Sequence, residues 1–149
     1  KINEILRSGN KQNISEEEFQ ELYAQNRRDY EPTLKKKLQT GINIIAEDYT
    51  GTGIAWGVSK GAVLNILEKQ NRDLLREDIA IVLDGERFLD GKETNHLHES
   101  NDSLMQRCRE VHKDLAKKYN WFIIDANQPI TIVHQDILKI IQKILFINP

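Results

Sequence analysis

The sequence predicts an α/β domain in which helices flank a parallel sheet on both faces. Three observations carry that prediction. Residues 42–46 (INIIA), 79–83 (IAIVL) and 121–125 (WFIID) are short runs rich in β-branched side chains. Apart from Asn43 and the closing Asp125 they are apolar, as strands buried on both faces are. Helical patterns alternate with these runs, the arrangement that crossover units produce. A chain of 149 residues is the size of one ordinary domain and can bury a real core.

Taken in order, residues 2–9 (INEILRSG) read as the end of a helix closed by Gly9. Ser15 followed by Glu18 has capping-box spacing, and Glu16 and Glu17 add negative charge at the positive end of the helix that begins there. That helix should run from Glu16 to about Gln39, kinked or briefly interrupted at Pro32 and stopped by Gly41. The first strand follows over 42–46. Between the later strands, residues 61–75 and 103–119 read as helices. A last amphipathic helix covers 130–146, with Val133, Ile137, Ile140, Ile141 and Ile144 on its buried face. In such sheets ligands bind beyond the carboxyl ends of the strands. Here those ends read AED, LDG and DAN, so acids or amides stand at each.

Composition narrows the function. Charged residues make up 30% of the chain and the net charge is −2, so no basic excess holds a polyanion, and nucleic acid is not expected as a partner. The single cysteine, Cys108, can form neither an internal disulfide nor a cysteine-based zinc site, and a reducing, cytoplasmic location is expected. No apolar run approaches the ~20 residues that span a bilayer, so no membrane partner is expected either. Nothing near Cys108 looks like a base for it, so packing is its expected role. His96 and His98, beside Glu99, form only a weak metal pattern. His112 and His134 fall in helical stretches, at the surface or half-buried.

Residues 47–56 (EDYTGTGIAW) pose the sharpest question, because two acids precede a glycine-threonine-glycine turn flanked by aromatics. Gly51 and Gly53 permit close approach of a ligand to the backbone. Upstream, Tyr23 and Arg27 (in YAQNR) are four apart and share one helix face. An aromatic face can stack on a base, and an arginine one turn along can donate to a carbonyl on that base's edge. Without further context, core packing for Tyr23 and a surface charge for Arg27 are the plainer roles.

Together these motifs resemble the thymidylate kinase family of P-loop nucleoside monophosphate kinases. The family pattern is a helix bearing Phe-x-x-x-Arg, a strand ending Asp-Arg-Tyr, then a small-residue turn and an aromatic. LMQRCREVHKDLA (104–116) is similar to the family's helix after the lid, and WFIIDANQPI (121–130) to its last strand and Asp-Ala-x-Gln-Pro turn. KINEILRSG (1–9) resembles the helix after the family's Arg-Glu-Pro-Gly-Gly loop. The likeness implies a P-loop nucleotide-kinase fold and transfer of the γ-phosphoryl of ATP to dTMP with Mg2+. By it, Tyr23, Arg27, Thr52, Gly53 and Trp56 hold the nucleoside, with Trp56 against the deoxyribose. Tyr49 orients it, Glu47 contacts magnesium through water, and Asn127 and Gln128 border the adenine. Residues 85–102 become the lid. Its cations are Arg87, Lys92, His96 and His98, or else Arg107 and Arg109 on the next helix; a solvated loop is the plainer alternative.

Two departures stand out. The family's phosphate-binding arginine is Asp48 here. Two unit charges ~4 Å apart interact by about 4 kcal/mol at an effective dielectric of ~20, so an acid there opposes a monophosphate. Asp48 can turn away to pair with Arg28 or a lysine, join the metal site, or bind part of the acceptor. Second, nothing reads Gly-x-x-x-x-Gly-Lys-Ser/Thr, the loop that cradles donor phosphates. A single domain lacking its first strand, phosphate loop and second strand is therefore expected over 1–149. Such a chain is inactive alone, and associates with the missing segment or forms a homodimer. A nucleotide-binding or regulatory protein of the same fold, without transfer chemistry, is the alternative.

Overall fold

The computed structural model of the protein describes residues 2, 13–86 and 102–147. The helix expected over 2–9 falls outside these apart from Ile2. So does the lid expected over 85–102, with Arg87, Lys92, His96 and His98, apart from Gly85, Glu86 and Asp102. The chain divides into two compact units. The described part of one is residues 2, 13–76 and 102–111, and of the other 77–86 and 112–147.

In the first unit, helix α1 spans Glu16–Gln39. Its capping box forms as the sequence predicts. The Glu18 backbone N–H donates to Ser15 Oγ at 3.1 Å, and the Ser15 N–H donates to Glu18 Oε2 at 2.7 Å. The helix runs on through Pro32 without the interruption that was one of the two expectations there. Proline removes a ladder bond and crowds the carbonyl four residues before it, but the turn before it is anchored through Arg27, Arg28 and Glu31 as described below. Gly41, at φ +81°, follows the helix end.

Residues 42–46 do not form the expected strand. A strand exists only where a neighbour completes its ladder, and among the described residues none pairs with this run. Ile45 is accordingly 97% exposed. The glycine-rich stretch after it is not a turn either: helix α2 spans Thr50–Ser59 and α3 spans Leu64–Asn71. α1, α2 and α3 pack on one another. Phe19, Ala24, Ile54, Ala55, Ala62, Leu67 and Leu74 are buried in this unit. The α2–α3 approach depends on Gly57, where a Cβ would lie 2.5 Å from Leu67 Cδ1. Cys108 is buried too. Burial pushes its thiol up from the ordinary value, against the opposite pull of hydrogen bonding with Ser59 and the charge of Lys60, which suits packing.

The second unit holds the sheet. Strands β1 (Ile81–Asp84) and β2 (Phe122–Asp125) pair in parallel, in register Ile81↔Phe122 through Asp84↔Asp125. Helix α4 (Asp102–Tyr119) lies between them in the chain, and Asn120, at φ +57°, follows its end. Helix α5 (Ile130–Ile147) packs on β2. Val133, Ile137, Ile140, Ile141 and Ile144 are half-buried, as the predicted apolar face requires. The α/β class therefore holds, with two strands described where three were expected.

Candidate functional site

Gln20, Tyr23, Ala24 and Arg27 stand three, four and seven positions apart on α1, so they share one face. Tyr23 packs edge-on against Phe19, with ring centroids 5.1 Å apart. The Arg27 guanidinium lies between two tyrosines, 5.9 Å from the Tyr23 ring centroid and 5.8 Å from that of Tyr49. Nη2 donates to the Tyr49 carbonyl at 2.9 Å and at 3.5 Å to that of Asp48. Nη1 donates to Asn71 Oδ1 at 3.4 Å. Cation–π contacts of this kind are worth about 0.5–2 kcal/mol, more as water is excluded.

The surroundings are braced. Tyr49 Oη donates to the Leu75 carbonyl at 2.9 Å, the Leu75 N–H donates to Glu31 Oε2 at 2.7 Å, and Arg28 Nη1 donates to the Gln70 carbonyl at 2.9 Å. Burial pulls the Arg27 guanidinium below its ordinary value, while Tyr49, Tyr23 and Asp48 push the other way. Burial likewise raises the Tyr23 hydroxyl, which stays protonated at neutral pH.

Gly53, on the first turns of α2, faces this cluster. A Cβ there would meet Arg27 Nη2 at 3.0 Å, Gln20 Oε1 at 3.1 Å and Arg27 Nη1 at 3.2 Å. The side chain that glycine lacks is what gives the guanidinium its place. Tyr23, Arg27, Asp48, Tyr49 and Gly53 are thus brought together. Thr52 and Trp56 are half-buried on the same helix α2.

Asp48 is exposed with φ +54°, a left-handed conformation that aspartate tolerates better than most residues. It reaches Arg27 through its backbone carbonyl, whereas Arg28 is ion-paired with Glu21. Glu47 and Asp48 sit in a bend and not at the end of a strand. Glu47 is exposed. Among the described residues no group of three or more His, Cys, Asp or Glu side chains could hold a metal ion. A single exposed carboxylate does suit magnesium, which keeps several waters and takes phosphate oxygens.

In the second unit, Asn127 and Gln128 follow β2. The Asn127 N–H and Nδ2 donate to Asp125 Oδ1 at 2.8 and 3.0 Å, and Asn127 Oδ1 accepts from the Glu86 N–H at 2.7 Å. Asn127 thereby ties together the ends of two neighbouring strands. Gln128 Nε2 donates to the Asp125 carbonyl at 2.9 Å. Arg87 lies outside the described residues, and Arg107 and Arg109 are on α4.

Sequence reasoning missed Gln20 and Asn71. Gln20 carried a signal, being a polar residue two helical turns before Arg27 on its own face. Asn71 carried none, because its contact with Arg27 spans 44 positions.

Among the described residues no helix is long and apolar enough to cross a membrane. The family model described as "Thymidylate kinase" matches residues 1–137. The chain is similar to the thymidylate kinase of Danio rerio, 27% identical over 154 residues, covering 97% of this chain and 72% of that protein. The thymidylate kinase of Homo sapiens is 25% identical over 132 residues, covering 85% and 62%. That of Plasmodium falciparum is 27% identical over 136 residues, covering 88% and 64%. The chain thus spans less than two thirds of the human and Plasmodium relatives' lengths.

Proposed function

Because this chain belongs to the thymidylate kinase family, we propose that its Tyr23–Arg27–Gly53 cluster is the nucleoside site of an enzyme that phosphorylates dTMP with ATP. The observation that carries the reading is the Arg27 guanidinium, fixed against Gly53 and beside the Tyr23 ring. In this reading the pyrimidine stacks on Tyr23 and Arg27 donates to its O4 carbonyl. Each such stack is worth about 1–3 kcal/mol. Thr52 and Gly53 line the site, Tyr49 orients the nucleoside, and Trp56 walls the deoxyribose. Asp48 stands near the acceptor phosphate, and Asn127 and Gln128 border the adenine of ATP.

Phosphoryl transfer needs positioning and charge neutralisation more than covalent chemistry. Magnesium, when bound, neutralises charge on the transferring phosphates, and Glu47 is the residue that would hold it, through water. No Gly-x-x-x-x-Gly-Lys-Ser/Thr run occurs in the 149 residues, so the reading gives this chain the acceptor side of the reaction.

Isothermal titration with dTMP tests the site. Tyr23→Ala and Arg27→Ala should each weaken dTMP about tenfold or more, and the full protein with MgATP should form dTDP. Unchanged affinity in both variants would refute the assignment. A second reading, nucleotide binding without transfer, draws on Asp48. Tight dTMP binding with no dTDP formed would favour it.

A further inference from the structure

Gln20 is only 4% exposed, yet it is polar. Its amide nitrogen donates to Glu16 Oε1 at 2.8 Å, and the other Glu16 oxygen is ion-paired with Lys60 at 3.4 Å. A carboxylate in an ion pair only accepts, so this bond settles which way the amide points. The carbonyl Oε1 is turned instead toward Gly53, whose missing Cβ would lie 3.1 Å from it. The two terminal nitrogens of Arg27 border that same position at 3.0 and 3.2 Å. Among the described residues Gln20 Oε1 accepts no hydrogen bond, and unlike the orphaned Gln70 Oε1 it is not sealed from solvent. An oriented acceptor and an oriented donor thus border one point.

We propose that Gln20 is a specificity-determining residue that accepts a hydrogen bond from N3–H of a pyrimidine-2,4-dione while Arg27 donates to O4. The proposal rests on the nucleoside site proposed above. Thymine and uracil present a donor at N3 beside an acceptor at position 4. A 4-aminopyrimidine presents the reverse, and would set the Gln20 carbonyl against a lone pair and Arg27 against an amino group. A glutamine can usually adapt by turning its amide over. Here that turn would put the carbonyl on the Glu16 carboxylate, so Glu16, held by Lys60, acts as a positioning residue for the selection.

The test is calorimetric titration of the full protein and three variants with dTMP, dUMP and dCMP. The wild-type protein should bind dTMP and dUMP about 100-fold more tightly than dCMP, since two mismatched polar contacts are at stake. Gln20→Met should lower that ratio about tenfold, mainly by weakening dTMP. Glu16→Ala, at a helix end that tolerates the change, should lower it by strengthening dCMP, because the amide is then free to turn. A wild-type protein that binds dCMP as tightly as dTMP overturns the proposal. So does an unchanged ratio in either folded variant, and Glu16→Ala serves alone if Gln20→Met does not fold. Arg27→Met separates the two levels of the argument. If it leaves dTMP affinity untouched, or if the wild-type protein shows no measurable dTMP binding, the nucleoside site itself is wrong. If it weakens dTMP while Gln20→Met leaves the ratio unchanged, only the role of Gln20 is lost.

Discussion

Gly53→Ala puts one methyl group where the site can least accommodate it. Its carbon would lie 3.0 and 3.2 Å from two Arg27 nitrogens and 3.1 Å from Gln20 Oε1. All three are the far ends of flexible side chains, so they can shift. Displaced, Arg27 loses its 2.9 Å bond to the Tyr49 carbonyl, worth about 1.5–3 kcal/mol for a charged donor. Against this, alanine is better than glycine in a helix by about 1 kcal/mol. The net loss of stability is about 1 kcal/mol, a fall of about 2–4 °C in Tm for a chain this size. The dTMP Kd should rise about tenfold or more, since donor and acceptor are both moved. Gly57→Ala is the control. Its Cβ meets Leu67 Cδ1 at 2.5 Å inside the packed core, so it should cost about 1–3 kcal/mol of stability while the folded fraction keeps its affinity. Thermal melts and calorimetry on both variants decide the matter. A Gly53→Ala protein that binds dTMP as tightly as the wild type would refute the reasoning.

Three further outcomes are expected. Trp56→Ala should weaken discrimination against the ribonucleotide, seen as a smaller ratio of Kd values for the ribose and deoxyribose monophosphates; an unchanged ratio removes Trp56 from the sugar contact. Asp48→Arg should tighten dTMP about tenfold by replacing repulsion with attraction. It should also lower stability by about 1 kcal/mol, because arginine tolerates the left-handed backbone at position 48 less well. Equal affinities would place position 48 away from the phosphate. Hydrogen bonding to Lys35, with that of the Leu75 N–H, holds the Glu31 carboxyl below its ordinary value. That stability is present above the ordinary glutamate range and is lost as pH falls through the lowered value. Glu31→Gln should therefore flatten the acid limb of urea midpoints measured between about pH 5 and pH 3, and an unchanged limb would count against the contact.

The sequence was most legible where local chemistry decides the outcome. Ser15 and Glu18 announce the start of α1 within four residues, and the 3.6-residue spacing of Val133, Ile137, Ile140, Ile141 and Ile144 announces the inner face of α5. It was least legible where partners decide. Residues 42–46 have every local mark of a strand, but pairing comes from elsewhere. Thr50–Ser59 carries three glycines and so read as a turn, whereas its packing on α1 and α3 favours a helix whose glycines admit close neighbours. In the site, Tyr23 and Arg27 could be paired by spacing alone. The orientation of Gln20 could not, because it depends on Glu16 and Lys60 together.

Three side chains on α1 also grip the last turn of α3 and the residues just after it. Arg27 touches Asn71, Arg28 holds the Gln70 carbonyl, and Glu31 receives the Leu75 N–H. One inserted residue between positions 23 and 27 would rotate everything upstream of it by about 100° relative to that grip. Gln20 would then turn away from Gly53 and Tyr23 from the Arg27 guanidinium, while Arg27 stayed. The helix works as a ruler whose markings count only if none is added.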